Sequence, residues 1–116
     1  VIDEIPILAV AAAMAEGKTE IRDAKELRVK ETDRISAVCK NLRLLGAQVE
    51  ERPDGFAVSG PTRLKSGVFE SYGDHRIAMS MIVAGLCSAG ATTVRDTACI
   101  NTSFPGFMDI IRKIVQ

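Results

Sequence analysis

The sequence predicts an α/β (α+β) fold built from a repeated β-α-β-α-β-β unit. Two observations carry this. The run Gly17-Lys18-Thr19-Glu20-Ile21-Arg22-Asp23 returns 73 residues later as Gly90-Ala91-Thr92-Thr93-Val94-Arg95-Asp96. The likeness extends to both sides: the Ala-rich stretch 5–16 matches 77–89, and Ile35, Val38 and Leu42 match Met108, Ile111 and Val115. A repeat of this kind marks one supersecondary unit used twice.

Each element of the unit has its own signal. Pro6 near the start of the first apolar stretch and Gly17 just past its end are the usual brackets of a helix. Residues 19–23 alternate and read as a strand. Ile35, Val38, Leu42 and Leu45 recur at helical spacing, and Gly46 supplies a stop. Residues 47–51 and 56–59 flank Pro53-Asp54-Gly55, so a hairpin follows. Residues 68–71 fit the opening strand of the second copy, ahead of the apolar run 77–86. The expected units are 1–60 and 67–116. The second lacks its closing hairpin and the first its opening strand, so the chain reads as part of a domain. Helices on one side of a mixed sheet would form the core.

Composition narrows the function. Lys plus Arg and Asp plus Glu number 15 each, so the formal net charge is zero. No global field points to nucleic acid, and any anion site must be local. Four Phe, one Tyr and no Trp offer little for base stacking. The three cysteines, Cys39, Cys87 and Cys99, form no CxxC, which argues against a disulfide framework or zinc site. Cys39 and Cys87 sit among apolar residues and read as packing. The run 5–15 is too short to span a bilayer. A cytoplasmic setting is the expectation.

Charge collects at four predicted helix starts: Asp3-Glu4, the run Arg-Val-Lys-Glu-Thr-Asp-Arg over 28–34, Asp74-His75-Arg76, and Asn101-Thr102-Ser103. A helix N-terminus favours acids and bound anions and disfavours cations. Lys30, Arg34 and Arg76 at such places therefore suggest an anion gathered jointly by cations and free N–H groups. A substrate carrying phosphate and carboxylate would suit that edge. Plainer roles compete: Asp3, Asp33 and Asp74 as simple N-caps, Lys30 and Arg34 as a solvated face pairing with Glu31 and Asp33, and His75 as an ordinary surface or core histidine. Spacing alone supports no more than an anion-binding α/β domain.

The run over 28–34, followed by Gly-Asp-His-Arg-Ile-Ala-Met over 73–79, resembles the two C-terminal signatures of the EPSP synthases. Asp3-Glu4-Ile5-Pro6 and Thr102-Ser103-Phe104-Pro105 also resemble that family, so the likeness covers the chain in order. The resemblance implies an inside-out α/β barrel of the enolpyruvyl transferase type, with this chain as about two of three units of the C-terminal domain. It implies transfer of the enolpyruvyl group of phosphoenolpyruvate to the 5-hydroxyl of shikimate 3-phosphate, in aromatic amino acid (chorismate) biosynthesis. No metal or organic cofactor is implied. The partners implied are the two substrates and the N-terminal domain of the same enzyme, with neither nucleic acid nor membrane.

Carried over by residue, Asp3 matches the acid that orients the 5-hydroxyl and can take its proton. Lys30 matches a lysine near that hydroxyl and the reacting centre. Glu31 matches the carboxyl that acts on the phosphoenolpyruvate methylene. Arg34 and Arg76 match arginines that clamp phosphoenolpyruvate, chiefly its carboxylate, and His75 an active-site histidine. Thr102 stands where some branches carry a phosphoenolpyruvate-binding lysine, and Glu26 where others have Asn; both read as branch variation. Because the family's site lies between two domains, the 116-residue chain alone is expected to be inactive. Two alternatives remain: the sibling transferase acting on UDP-N-acetylglucosamine, against which both signatures argue, and a non-catalytic anion-binding module. Glu31 opposes the last, since a carboxylate amid basic residues is costly for a phosphate binder.

Overall fold

Helix α1 (Ile5–Met14) begins with Pro6 in its first turn, where the missing N–H costs nothing. It is apolar all round. Ile5, Ala9, Val10, Ala12 and Ala13 are buried, while Ile7, Leu8 and Met14 are exposed. The chain turns at Gly17, whose φ of 91° suits a residue without Cβ, and enters strand β1 (Gly17–Ile21). The computed structural model describes residues 4–30, 32–65, 67–88, 93–95, 97, 98, 100, 106, 107 and 110.

The predicted strand at 19–23 is displaced. It starts at Gly17 and ends at Ile21 because its ladder with β3 runs from Gly17↔Gly60 to Ile21↔Phe56. Asp23, at φ 55°, has already left extended geometry. A 3₁₀ segment (Lys25–Val29) follows, with Leu27 fully buried. Five residues with one apolar anchor carry no periodicity, so pattern reading passes over it. Helix α2 (Arg34–Leu44) then presents Ile35, Val38, Cys39 and Leu42 inward. Strands β2 (Gln48–Arg52) and β3 (Gly55–Gly60) close the hairpin, with Arg52 opposite Gly55. The turn at Pro53-Asp54 lies where the sequence places it.

The first sheet is antiparallel in the order β1-β3-β2. Both α1 and α2 pack on its central strand, and Phe56 and Val58 are fully buried in the shared core. The other face carries ion pairs of Glu20 with Lys18, Arg22 and Arg52, and of Glu50 with Arg52. Exposed pairs of this kind add little to stability, because water screens them. Strand β4 (Val68–Glu70), helix α3 (His75–Leu86) and strand β5 (Thr93–Arg95) form a β-α-β crossover with β4 and β5 parallel. Among the described residues, the mixed sheet expected from sequence is thus two sheets, one antiparallel and one parallel. The fourth expected helix start, at Ser103, lies outside the described residues.

One face of α2 grips the corner between β4 and α3. Asn41 Nδ2 donates to the Glu70 carbonyl at 2.9 Å. Lys40 Nζ stands 5.9 Å from the centroid of the Tyr72 ring. Arg34 reaches Asp74 (below). This clamp fixes the start of α3 against the start of α2.

Two outcomes follow from the packing. A Cβ at Gly60 would stand 2.3 Å from the Ala15 carbonyl oxygen and 2.7 Å from that of Ala13. Gly60→Ala in the complete protein should therefore lift α1 from β3 and cost about 1–3 kcal/mol, read from a denaturant midpoint. Burial, with Glu51 adding to it, pushes the Cys39 thiol up to about 11. Native protein at about pH 8 should leave Cys39 unlabelled by iodoacetamide, with labelling appearing in guanidinium; rapid native labelling would contradict its burial.

Candidate functional site

Asp33 and Asp74 each do two jobs, one per carboxylate oxygen. Asp33 is the N-cap of α2: Oδ1 accepts from the Ser36 N–H at 3.0 Å. Its Oδ2 accepts from Arg28 Nη1 at 2.8 Å. Asp74 is the N-cap of α3: Oδ1 accepts from the Arg76 N–H at 2.9 Å and the Ile77 N–H at 3.4 Å. Its Oδ2 accepts from Arg34 Nε at 2.7 Å. The two devices are joined in sequence, because Asp33 precedes Arg34. The chain and these contacts together thus link the β2-β3 hairpin, both caps and the Arg76 backbone.

Arg28 anchors that linkage. Its Nε donates to the Pro53 carbonyl at 2.8 Å, and Nη2 donates to the Arg52 carbonyl at 2.6 Å and to Glu51 at 3.1 Å. The hydrogen bond to Asp33, helped by Glu51, outweighs burial and raises its already high pKa further. Arg28 thereby ties the loop that carries Lys30 to the hairpin. Its hairpin partners lie more than twenty positions away in sequence, so nothing local distinguishes it from Lys30 or Arg34.

Arg34 is 1% exposed and Asp74 fully buried. The solvated-face alternative for Arg34 therefore fails. A guanidinium out of water needs a carboxylate and hydrogen bonds, and its partner stands 40 positions on, across the helix interface. The N-cap role of Asp33 and Asp74 is present together with arginine binding, not instead of it. One expectation changes. The N–H groups of Ser36, Arg76 and Ile77 are taken by the caps, so an anion here would meet side-chain cations rather than those N–H groups.

The turn that delivers Asp74 is tight. Asp74 N donates to the Ser71 carbonyl at 3.0 Å, and Gly73 N to Ser71 Oγ at 3.1 Å. Tyr72 and Gly73 have φ of 57° and 70°, the successive positive values of a type I′ turn. A bulky residue there is uncommon and stores strain. Gly73 is the residue type the turn calls for; Tyr72 is not.

The three helix starts converge. Arg34 on α2 touches Asp74 on α3. Glu4, the N-cap of α1, lines a cavity of about 190 Å³ with Arg76, Ile7, Met79, Ser80, Val83 and Phe107. Of the expected site residues, Arg34, His75 and Arg76 stand at or next to this junction. Lys30 ends the 3₁₀ segment on the loop leading to Asp33. His75 is the first residue of α3, half-buried. Asp3 and Glu31 lie outside the described residues. Among the described residues, no cluster of His, Cys, Asp and Glu could hold a metal ion, and no helix is long and apolar enough to cross a membrane.

Known proteins resemble this chain along nearly its whole length. The chain is 59% identical over 113 residues to 3-phosphoshikimate 1-carboxyvinyltransferase of Geobacter sulfurreducens, covering 97% of this chain and 26% of that protein. It is 60% identical over 114 residues to the protein of that name from Pelotomaculum thermopropionicum, covering 98% and 26%. A solved EPSP synthase from Acinetobacter baumannii superposes with a TM-score of 0.91 at 40% identity, over 97% of this chain and 27% of that one. The chain therefore spans about a quarter of the length of the relatives it matches. The family model for EPSP synthase (3-phosphoshikimate 1-carboxyvinyltransferase) matches residues 1–111, and a match over nearly the full length, with a fold this similar, makes the chain a member of the EPSP synthase family.

Proposed function

We propose that this chain forms part of the C-terminal domain of an enzyme that transfers the enolpyruvyl group of phosphoenolpyruvate to the 5-hydroxyl of shikimate 3-phosphate. Family membership supports the reading. The observation that carries it to these residues is the junction of α2 and α3, where Arg34 is buried on Asp74 and Arg76 opens the next helix.

In this reading Arg34 and Arg76 hold the phosphoenolpyruvate carboxylate. Planar guanidinium groups bind carboxylates in fixed orientation. Glu31, as the acid, gives its proton to the methylene carbon, and the adjacent carbon becomes electrophilic. The shikimate 5-hydroxyl oxygen attacks that carbon while Asp3 takes the hydroxyl proton, and Lys30 favours the developing negative charge on oxygen. The resulting tetrahedral intermediate loses phosphate as the C–O bond to it breaks, and the departing phosphate carries away the proton that Asp3 took. A proton of the new methyl group returns to Glu31, restoring the double bond. One carboxyl thus gives and retakes a proton, a task worth about 10²–10⁴-fold. His75 stands beside the clamp at the start of α3 and helps shape it. The remaining contacts come from the other domain of the complete protein, so this chain is not the whole catalyst.

The complete protein that carries this segment should release phosphate from phosphoenolpyruvate when shikimate 3-phosphate is supplied and not when UDP-N-acetylglucosamine is. Release with the nucleotide sugar alone would move the assignment to the sibling reaction. Release with neither would leave a non-catalytic anion-binding module. In the same protein Glu31→Gln should fold as wild type yet lose about 10²–10⁴-fold in turnover; near-normal turnover would remove Glu31 from proton transfer.

A further inference from the structure

We infer that Asp74 is a positioning residue, one carboxylate that sets the spacing and orientation of the two arginines as a single clamp. The inference rests on the proposed enolpyruvyl transfer and assigns a role within that site that the clamp arginines themselves do not explain.

The geometry is specific. Asp74 Oδ2 receives Arg34 Nε, the edge of the guanidinium nearest its own backbone. The Nη groups lie beyond that edge, so a carboxylate at Nε selects the direction in which they point. The other oxygen receives the Arg76 and Ile77 N–H groups and so fixes the first turn of α3, from which the Arg76 side chain departs. Both arginines are thus referred to the same two oxygens. Arg34 is 1% exposed and Asp74 fully buried, so water cannot replace either partner cheaply.

The carboxylate is itself held. The turn through Tyr72 and Gly73 delivers it. Asn41 on the Glu70 carbonyl and Lys40 over the Tyr72 ring brace that turn from the same helix that carries Arg34. A simple N-cap needs one oxygen and none of this support. Ser, Asn and Asp cap with similar strength, but only a carboxylate offers one oxygen to the helix and a second, charged oxygen to the arginine.

The test is steady-state kinetics on the complete protein with Asp74→Asn and Asp74→Ser, both of which keep a cap. Wild type must first release phosphate from phosphoenolpyruvate with shikimate 3-phosphate; if it does not, the enolpyruvyl reading fails and takes this inference with it. With an active wild type, each variant should raise the KM for phosphoenolpyruvate on the order of 10–100-fold, as misplaced binding groups do. The KM for shikimate 3-phosphate should stay at its wild-type value. Arg34→Lys combined with Asp74→Asn should be no worse than the more impaired single variant, because Asn keeps the cap that places Arg76 and both changes then act on the one contact of Arg34 with Asp74. Wild-type phosphoenolpyruvate kinetics in Asp74→Asn would overturn the inference and leave the enolpyruvyl reading intact. Losses that multiply in the double variant, or equal rises in both KM values, would overturn it as well. If neither variant folds, Asp74 is a requirement of the fold and the inference is likewise overturned.

Discussion

A guanidinium removed from water imposes its terms on everything around it. Arg34 is buried at the start of α2, and Asp74 meets it at 2.7 Å from the start of α3. Breaking such a pair by removing one partner costs about 3–5 kcal/mol, although the intact pair adds little net stability over an apolar substitute. Its value is geometric. Two helices from different parts of the chain cannot slide past each other without stranding a charge. The turn at 71–74, the Asn41 contact and the Tyr72 backbone all serve to place that one carboxylate.

The same device appears upstream in a milder form. Asp33 caps α2 and holds Arg28, and Arg28 in turn grips the hairpin carbonyls of Arg52 and Pro53. Both arginines are cations placed near helix starts, where the dipole opposes them. In each case the capping carboxylate offsets that opposition. The consequence divides their roles. Each of the three guanidinium nitrogens of Arg28 is engaged by hairpin or cap. Arg34 and Arg76 stand at the junction of the two helix starts, where the proposed clamp would meet its carboxylate.

Helix α1 carries a different message about assembly. It is apolar on all sides, yet Ile7, Leu8 and Met14 are exposed. A helix apolar all round belongs in an interior. The chain covers about a quarter of its relatives' length, and an interior helix with one bare side is in keeping with a piece of a larger fold. Of those exposed apolar side chains, Ile7 also lines the cavity between the starts of α1 and α3.

Periodicity and punctuation marked the helices and the hairpin from the sequence alone, while the bounds of β1 and the 3₁₀ segment were set by tertiary contacts. Pro6, Gly17, Gly46 and Pro53-Asp54-Gly55 mark ends that the structure respects, because a missing N–H or a positive φ acts locally. The caps Asp33 and Asp74 were legible for the same reason: a side chain bonding N–H groups two or three residues ahead needs only local chain. The long motifs over 28–34 and 73–79 marked the family and its chemistry. The tertiary structure alone decided which charges face which. Arg34 and Asp74 are forty positions apart, and Arg28 meets the hairpin carbonyls from more than twenty. Nothing in the local pattern separates a solvated arginine from one buried on a distant carboxylate, because that difference arises only when two helix starts are brought together and water is excluded between them.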